Sequence, residues 1–245
     1  MMKLSTITGV TCGLLLSGLA GSAAHAALVA TLTSNSSTQT LNGTLRGGYY
    51  YASDSSFNVG DFSIGYFSAS SNSPSTPGNG IIARVKASTS FTAVNNGSGF
   101  EVLNINVADG SFQPAPDETL AMLAGAASVT FNSSGAVQSP LDYYQFTSFA
   151  NSTSISSSVT DYNYLSDGSP ATKNVSVGPT AFNLTSPYSL GESIALGLNP
   201  GDSATLTFQT DPIPVVTPLP SAGTILALGL AGLAGLALLR RKQFN

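Results

Sequence analysis

Apolar and polar residues alternate over short stretches along most of the chain, and Gly, Asn, Asp, Ser or Pro separate the stretches. Because side chains alternate between two faces in a strand, this pattern predicts β-strands with one buried face. Strands at this spacing indicate an all-β fold, a β-sandwich with jelly-roll-like topology. We expect strands at 28–33, 44–52, 57–67, 81–86, 89–94, 100–107, 128–132, 143–149, 155–164, 174–182, 193–198 and 204–209.

The connections between these strands contain turn residues. Polar turns at 95–97, 132–135 and 199–202 carry Asn or Gly, which tolerate positive φ, and are predicted to join strands in pairs. One stretch, 116–127, has two interpretations. Its acidic start before good helix formers suits a short helix, whereas Ala121 to Phe131 suits one long buried strand.

The N-terminus has the profile of a secretory signal peptide. Lys3 precedes an uncharged stretch at 4–20 that is rich in Leu, Ile, Val and Gly. Ala24 and Ala26 form the A-x-A arrangement that signal peptidase reads, so cleavage after Ala26 is predicted. A lipoprotein cleaved at Cys12 is the alternative, but Cys12 lies inside the apolar stretch rather than after it.

Cleavage also removes Cys12 and His25, the only Cys and the only His of the chain. The mature chain then lacks disulfides, thiolate and imidazole metal ligands, and the side chains of Ser-His-Asp and Cys-His catalysis. We therefore expect no cofactor. Residues 27–217 carry four basic and twelve acidic residues, a net charge of −8, so nucleic acid is not an expected partner.

An uncharged segment rich in Leu, Ala and Gly at 221–239 is predicted to be a transmembrane helix. Its length as a helix, about 29 Å, matches a bilayer core of about 30 Å. Arg240, Arg241 and Lys242 follow directly, and basic residues beside a span stay in the cytoplasm. The preceding chain is therefore expected on the outer side of the inner membrane.

The order of features at the C-terminus is more specific than the span alone. Pro218-Leu219-Pro220 precedes the apolar segment, and the basic cluster follows it. This arrangement resembles a PEP-CTERM sorting signal, with Leu219 where the commoner motif has Glu. The resemblance implies recognition by an exosortase-like processing enzyme in a Gram-negative-type bacterium that makes exopolysaccharide. An ordinary C-terminal anchor is the alternative.

These features divide the chain into five parts. They are a signal peptide (1–26), an extracytoplasmic β-sandwich domain (27–210), a Pro-rich linker with the PEP-like motif (211–220), a transmembrane helix (221–239) and a basic cytoplasmic tail (240–245). The expected course is export through the inner membrane, transient anchoring there, and final placement on the cell surface or in the extracellular matrix.

A metal site and a sugar site are each suggested by a local pattern. Asp161, Asn163 and Asp167 space oxygen ligands as a calcium loop does, but Leu165 stands where an EF-hand has a ligand, so a polar turn is the plainer interpretation. Tyrosine clusters offer sugar-stacking surfaces in a chain without Trp. Neighbouring tyrosines of a strand point to opposite faces, so each cluster should give one ring to the core and another to the surface. The clusters are 49–51, 143–144 and the pair Tyr162 and Tyr164.

The expected function follows from the resemblance to PEP-CTERM proteins. It is that of a non-enzymatic protein associated with the cell surface or exopolysaccharide matrix. A carbohydrate-binding module on the same scaffold is the alternative. A third hypothesis is a hydrolase that uses two carboxylates, which needs no His.

Overall fold

The computed structural model describes residues 28–72, 85–114, 119–132, 142–159 and 170–214, and every regular element in these ranges is a β-strand. The strands are β1 (Val29–Ser34), β2 (Ser37–Asn42), β3 (Thr44–Arg46), β4 (Tyr49–Asp54), β5 (Phe57–Val59), β6 (Phe62–Ile64), β7 (Phe67–Ser71), β8 (Val85–Asn95), β9 (Glu101–Phe112), β10 (Leu120–Asn132), β11 (Tyr143–Ala150), β12 (Thr153–Val159), β13 (Ala171–Asn183), β14 (Tyr188–Leu198) and β15 (Ser203–Pro214).

The strands form two sheets, and their pairings are antiparallel. The six-stranded sheet has the order β12-β11-β14-β9-β1-β2. The nine-stranded sheet has the order β13-β10-β15-β8-β7-β4-β3, with β6 paired to β8 and β5 paired to β6. The predicted all-β class is therefore confirmed, and two sheets with a shared core agree with a β-sandwich.

Apolar side chains from both sheets meet in one core. In β11 every second residue, from Tyr144 to Ala150, is buried, as the alternation in the sequence predicts. The ring of Tyr144 lies 6.2 Å from that of Phe131 in the opposite sheet, and Phe146 lies 6.4 Å from Phe208. Burial of large rings on both inner faces supplies most of the free energy that holds the sheets together.

Two-residue turns make the hairpins, and none of these turns was among those predicted from the sequence. Each turn has a residue at positive φ: Asn35, Gly47 and Gly48, Gly60, and Asn151. The predicted single strand at 44–52 is instead β3 and β4, because Gly47 and Gly48 fold the chain back. The predicted strand at 57–67 likewise contains β5, β6 and the start of β7.

The three predicted pairing turns join different sheets, so their prediction as links between paired strands was wrong. The turn at 95–97 leads from β8 to β9, and the turn at 199–202 leads from β14 to β15. The segment after Asn132 leads from β10 to β11, which also lie in different sheets. The two described connections, at 95–97 and 199–202, cross the end of the sandwich, because each joins strands of different sheets.

Two further boundaries differ from those predicted. Leu120 to Asn132 is a strand, so the strand interpretation of this stretch is correct and the helix interpretation fails for its described residues. β15 continues to Pro214, four residues into the predicted linker, because Asp211 to Pro214 pair with β10. No helix in the described ranges has the length and apolar character of a membrane span, and 221–239 lies outside those ranges.

Candidate functional site

Among the described tyrosine clusters, the hairpin β3–β4 carries the most exposed pair of aromatic rings. Tyr49 and Tyr51 are 44% and 42% exposed, and their ring centroids lie 6.3 Å apart at an angle of 48°. Tyr50 points to the other face and packs against the core. The expectation that this cluster divides between surface and core is confirmed. Tyr49 and Tyr51 together are called the tyrosine platform.

Polar side chains flank the tyrosine platform on the same face of the sheet. Arg46 lies directly opposite Tyr49, and Thr44 opposite Tyr51, in the register of the hairpin. On the other side Ser70 of β7 lies opposite Tyr51. Residues directly opposite in an antiparallel pair share a face, so the two rings have a guanidinium and two hydroxyl groups as neighbours.

This combination suits a sugar ring. A pyranose presents C–H groups that pack on aromatic faces, and hydroxyl groups that accept hydrogen bonds from a guanidinium or exchange them with Ser and Thr. The sequence pattern indicated the tyrosines but not their neighbours. Only the Gly47-Gly48 turn places Arg46 beside Tyr49, and a Gly-Gly pair between alternating residues is the signal that predicts such a hairpin.

The second tyrosine cluster also divides between core and surface. Tyr144 is fully buried, and its hydroxyl donates to the carbonyl oxygen of Lys173 at 3.4 Å. Burial raises the pKa of Tyr144 to about 12, because the ionised phenol loses its hydration in the core. Tyr143 points outwards, is half-buried, and stacks on Phe100 with centroids 6.0 Å apart. Tyr144 therefore serves the core and Tyr143 the surface.

Several carboxylates lie inside the sandwich, where a substrate has no access. Asp109 accepts hydrogen bonds from the Ser111 amide at 3.0 Å and the Ser111 hydroxyl at 2.6 Å. Asp142 accepts two bonds from Asn199, both 2.8 Å. A carboxylate-based hydrolase needs two acids lining a cleft. Among the acids in the described ranges, those at most 2% exposed are Asp109, Asp142, Glu192 and Asp202.

Metal ligands do not gather in the part of the chain that the structure describes, where no group of three or more His, Cys, Asp and Glu is placed to hold an ion. The calcium candidates lie outside the described residues. So do the predicted cleavage and sorting residues and the third tyrosine pair. These positions are Asp161, Asn163, Asp167, Ala24, Ala26, Pro218, Leu219, Pro220, Arg240, Arg241, Lys242, Tyr162 and Tyr164.

Comparison with known proteins gives no matching family model and no matching curated protein. A carbohydrate-binding module solved in complex with beta-1,4-galactotriose is 9% identical, with a TM-score of 0.34 over 67% of this chain and 88% of the module. A cyclase from Fischerella sp. TAU is 11% identical, with a TM-score of 0.28 over 71% of this chain and 92% of the cyclase. TM-scores this low carry no argument about function.

Proposed function

We propose that this chain is an exported, non-enzymatic protein of the cell surface or exopolysaccharide matrix, and that the tyrosine platform contacts matrix sugar. The exposure of Tyr49 and Tyr51 on one face carries the proposal. Burial of apolar surface is worth about 25 cal/mol per Å², so two rings left in water on a sheet edge forgo that stabilisation unless a ligand covers them.

The two ends of the sequence support export and sorting. The A-x-A site at Ala24 and Ala26 fits cleavage of a signal peptide, which would place the sandwich outside the inner membrane. Pro218-Leu219-Pro220, the apolar segment and the basic cluster fit an exosortase-like partner, as the resemblance to PEP-CTERM proteins implies. Export and sorting would thus bring a domain that contacts sugar to a matrix made of exopolysaccharide.

The strand order supports the jelly-roll topology within this proposal. The last eight strands lie in the order β8-β15-β10-β13 in one sheet and β9-β14-β11-β12 in the other. Successive strands therefore alternate between sheets, except for the hairpin β11–β12. Two interleaved Greek keys of this kind define a jelly roll.

A glycan array with the purified full chain in mild detergent tests the sugar contact. We expect Tyr49→Ala/Tyr51→Ala to weaken binding at least about tenfold, since each ring contact is worth about 1 kcal/mol. Tyr66→Ala is the matched control, because Tyr66 is also exposed, at 55%, but lies outside the hairpin. Absence of any bound glycan, or equal binding by the double variant, would contradict the proposal.

A further inference from the structure

The outer face of the six-stranded sheet, which points away from the core, carries no charged residue at any outward position of the described strands. Short uncharged side chains cross it in two registered rows. One row is Ser156, Thr147, Ser193, Asn106, Thr31 and Thr40, and the other includes Gln145, Ala195, Asn104, Thr33 and Thr38. We call this surface the neutral face.

Aromatic rings border the neutral face at both ends of β11. Phe149 lies over Gly191 of β14, and a Cβ on this glycine would overlap the ring. Tyr143, stacked with Phe100, lies over Gly197 in the same way. Because glycine has no side chain, each ring packs directly on the backbone of β14 and presents its other side to the surface.

The distance between the two rings sets the length of ligand that the face can hold. Tyr143 and Phe149 are six residues apart on one strand, which corresponds to about 20 Å. Between them Gln145 and Thr147 of β11, with Asn104 and Asn106 of β9 across β14, offer amide and hydroxyl groups. Asn104 and Asn106 are exposed, so their amides can donate and accept hydrogen bonds outside the protein.

We propose that the neutral face binds an uncharged polysaccharide chain, a few sugar units of which lie over β14 between the rings of Phe149 and Tyr143, with β11 on one side and β9 on the other. The absence of charge on this face gives no attraction for an acidic or basic polymer, and residues 27–217 with a net charge of −8 repel an acidic one. Aromatic surfaces at the ends take sugar C–H groups, and the amide rows take hydroxyl groups.

The direction of the neutral face relative to the tyrosine platform supports a second inference, which rests on the proposed function. The tyrosine platform lies on the outer face of the nine-stranded sheet, and the two sheets pack by their inner faces. The two surfaces therefore point in opposite directions. One molecule can then hold two polysaccharide chains and cross-link the matrix.

The test uses the full chain in mild detergent with two probes, the neutral polymer hydroxyethylcellulose and the acidic polymer alginate. Affinity electrophoresis measures binding, and the viscosity of the mixture measures cross-linking. Asn104→Ala/Asn106→Ala removes two exposed amides from the neutral face. Asn174→Ala/Asn183→Ala removes two exposed amides from β13 and is the matched control. Detergent micelles affect all variants equally.

We expect the wild type and the control to bind hydroxyethylcellulose and to raise its viscosity. Asn104→Ala/Asn106→Ala should weaken the affinity of the neutral face about tenfold, and should abolish the viscosity increase while the tyrosine platform still retains the polymer. Tyr49→Ala/Tyr51→Ala should also abolish the viscosity increase.

The contrary outcomes separate the two proposals. If Asn104→Ala/Asn106→Ala binds and thickens hydroxyethylcellulose as the wild type does, or if the neutral face retains only alginate, the neutral-face proposal is wrong and the tyrosine platform stands. If the wild type binds hydroxyethylcellulose and loss of the tyrosines has no effect on binding or viscosity, the tyrosine platform is wrong. If the wild type binds neither polymer, the neutral-face proposal is wrong, and the glycan array decides the tyrosine platform separately.

Discussion

Tyr144 holds an ionisable phenol in the core, and this makes stability depend on alkaline pH. Its pKa of about 12 in the folded state exceeds the value of about 10 in an unfolded chain. Between these two pKa values the unfolded chain loses the phenol proton and the folded state keeps it, which favours unfolding. The free energy of unfolding is therefore unaffected below about pH 10 and falls as pH rises towards 12. Solvent near the part-buried hydroxyl screens its charge, so the expected loss is on the order of 1 kcal/mol.

The Tyr144→Phe variant should remove this alkaline loss. Urea unfolding at pH 9 and pH 11.5 should show a smaller fall in unfolding free energy for Tyr144→Phe than for the wild type. Tyr66→Phe, at an exposed position, should behave as the wild type does. An equal fall in Tyr144→Phe and wild type would show that the buried phenol is not the group responsible.

Asn95 connects the two turns that cross one end of the sandwich. It is fully buried, and its side-chain amide donates to the carbonyls of Gly99 and Leu198, both at 2.9 Å. Its side-chain oxygen accepts from the Gly97 amide at 2.8 Å, and its backbone pairs with Gly201. Three side-chain bonds of about 1 kcal/mol each make this residue important for stability.

Asn95→Ala is therefore expected to lower the free energy of unfolding by about 3 kcal/mol. The neighbouring Asn96 is exposed and its side chain donates to Ser63, so Asn96→Ala should cost less than about 1 kcal/mol. Chemical denaturation monitored by circular dichroism measures both. Equal losses of unfolding free energy for the two variants would mean that the buried hydrogen bonds of Asn95 stabilise the fold no more than the exposed bond of Asn96 does.

At the scale of single elements, the edge hairpin β3–β4 should open separately from the rest of the domain. β3 pairs only with β4 among the described strands, through three residue pairs. Gly47 and Gly48 have φ of +59° and +86°, and a side chain at these values costs about 1 kcal/mol per residue. The strain is more easily released by fraying of β3 than by unfolding of both sheets.

Gly47→Ala/Gly48→Ala should consequently raise amide hydrogen exchange in residues 44–51 while the global unfolding midpoint changes little. Gly99→Ala provides the control, since Gly99 has ordinary φ and open space around its Cα. Hydrogen exchange read by mass spectrometry distinguishes the two regions. A drop in the global midpoint without local exchange would indicate that β3 is part of the main cooperative unit.

The sequence allowed prediction of which residues form strands more reliably than of which strands pair. Alternation along one strand is a local property, so a strand at 143–149 and the division of the tyrosine clusters between core and surface could be predicted. Pairing depends on distant segments. The turn at 95–97 has the chemistry of a hairpin, yet β8 pairs with β15 and β9 with β14.

The same limit applies to the candidate surfaces. The tyrosines of the platform lie close together in the sequence and were identified from it. The neutral face combines Thr31, Asn106, Thr147 and Ser193, which come from four separated strands. Such a row exists only once the register of every strand is fixed, and no local pattern contains that information.

At the scale of the whole molecule, the proposed sorting predicts a defined processing event. An exosortase-like enzyme should cut near Pro218 to Pro220, because proline disfavours helix in the residue before it and lacks the backbone donor that a helix needs. Mass spectrometry of the surface fraction, from hosts with and without the enzyme, checks this. Surface protein that still contains Arg240 and Arg241 when the enzyme is present would leave only the permanent anchor.

The position of the first and last strands determines how the domain responds to mechanical force. β1 lies between β9 and β2, and β15 lies between β10 and β8, with twelve residue pairs joining β15 to β10 alone. Pro214 pairs with Ala121, whose other neighbour Phe182 packs on Tyr188, and Tyr188 lies at the same end of the sheets as Val29. A pull between Leu28 and Pro214 therefore acts across β1 and β15 rather than along them, and their hydrogen bonds break one after another from that end. In single-molecule stretching between Leu28 and Pro214, we expect a series of small steps at low force, and one high-force rupture would contradict this.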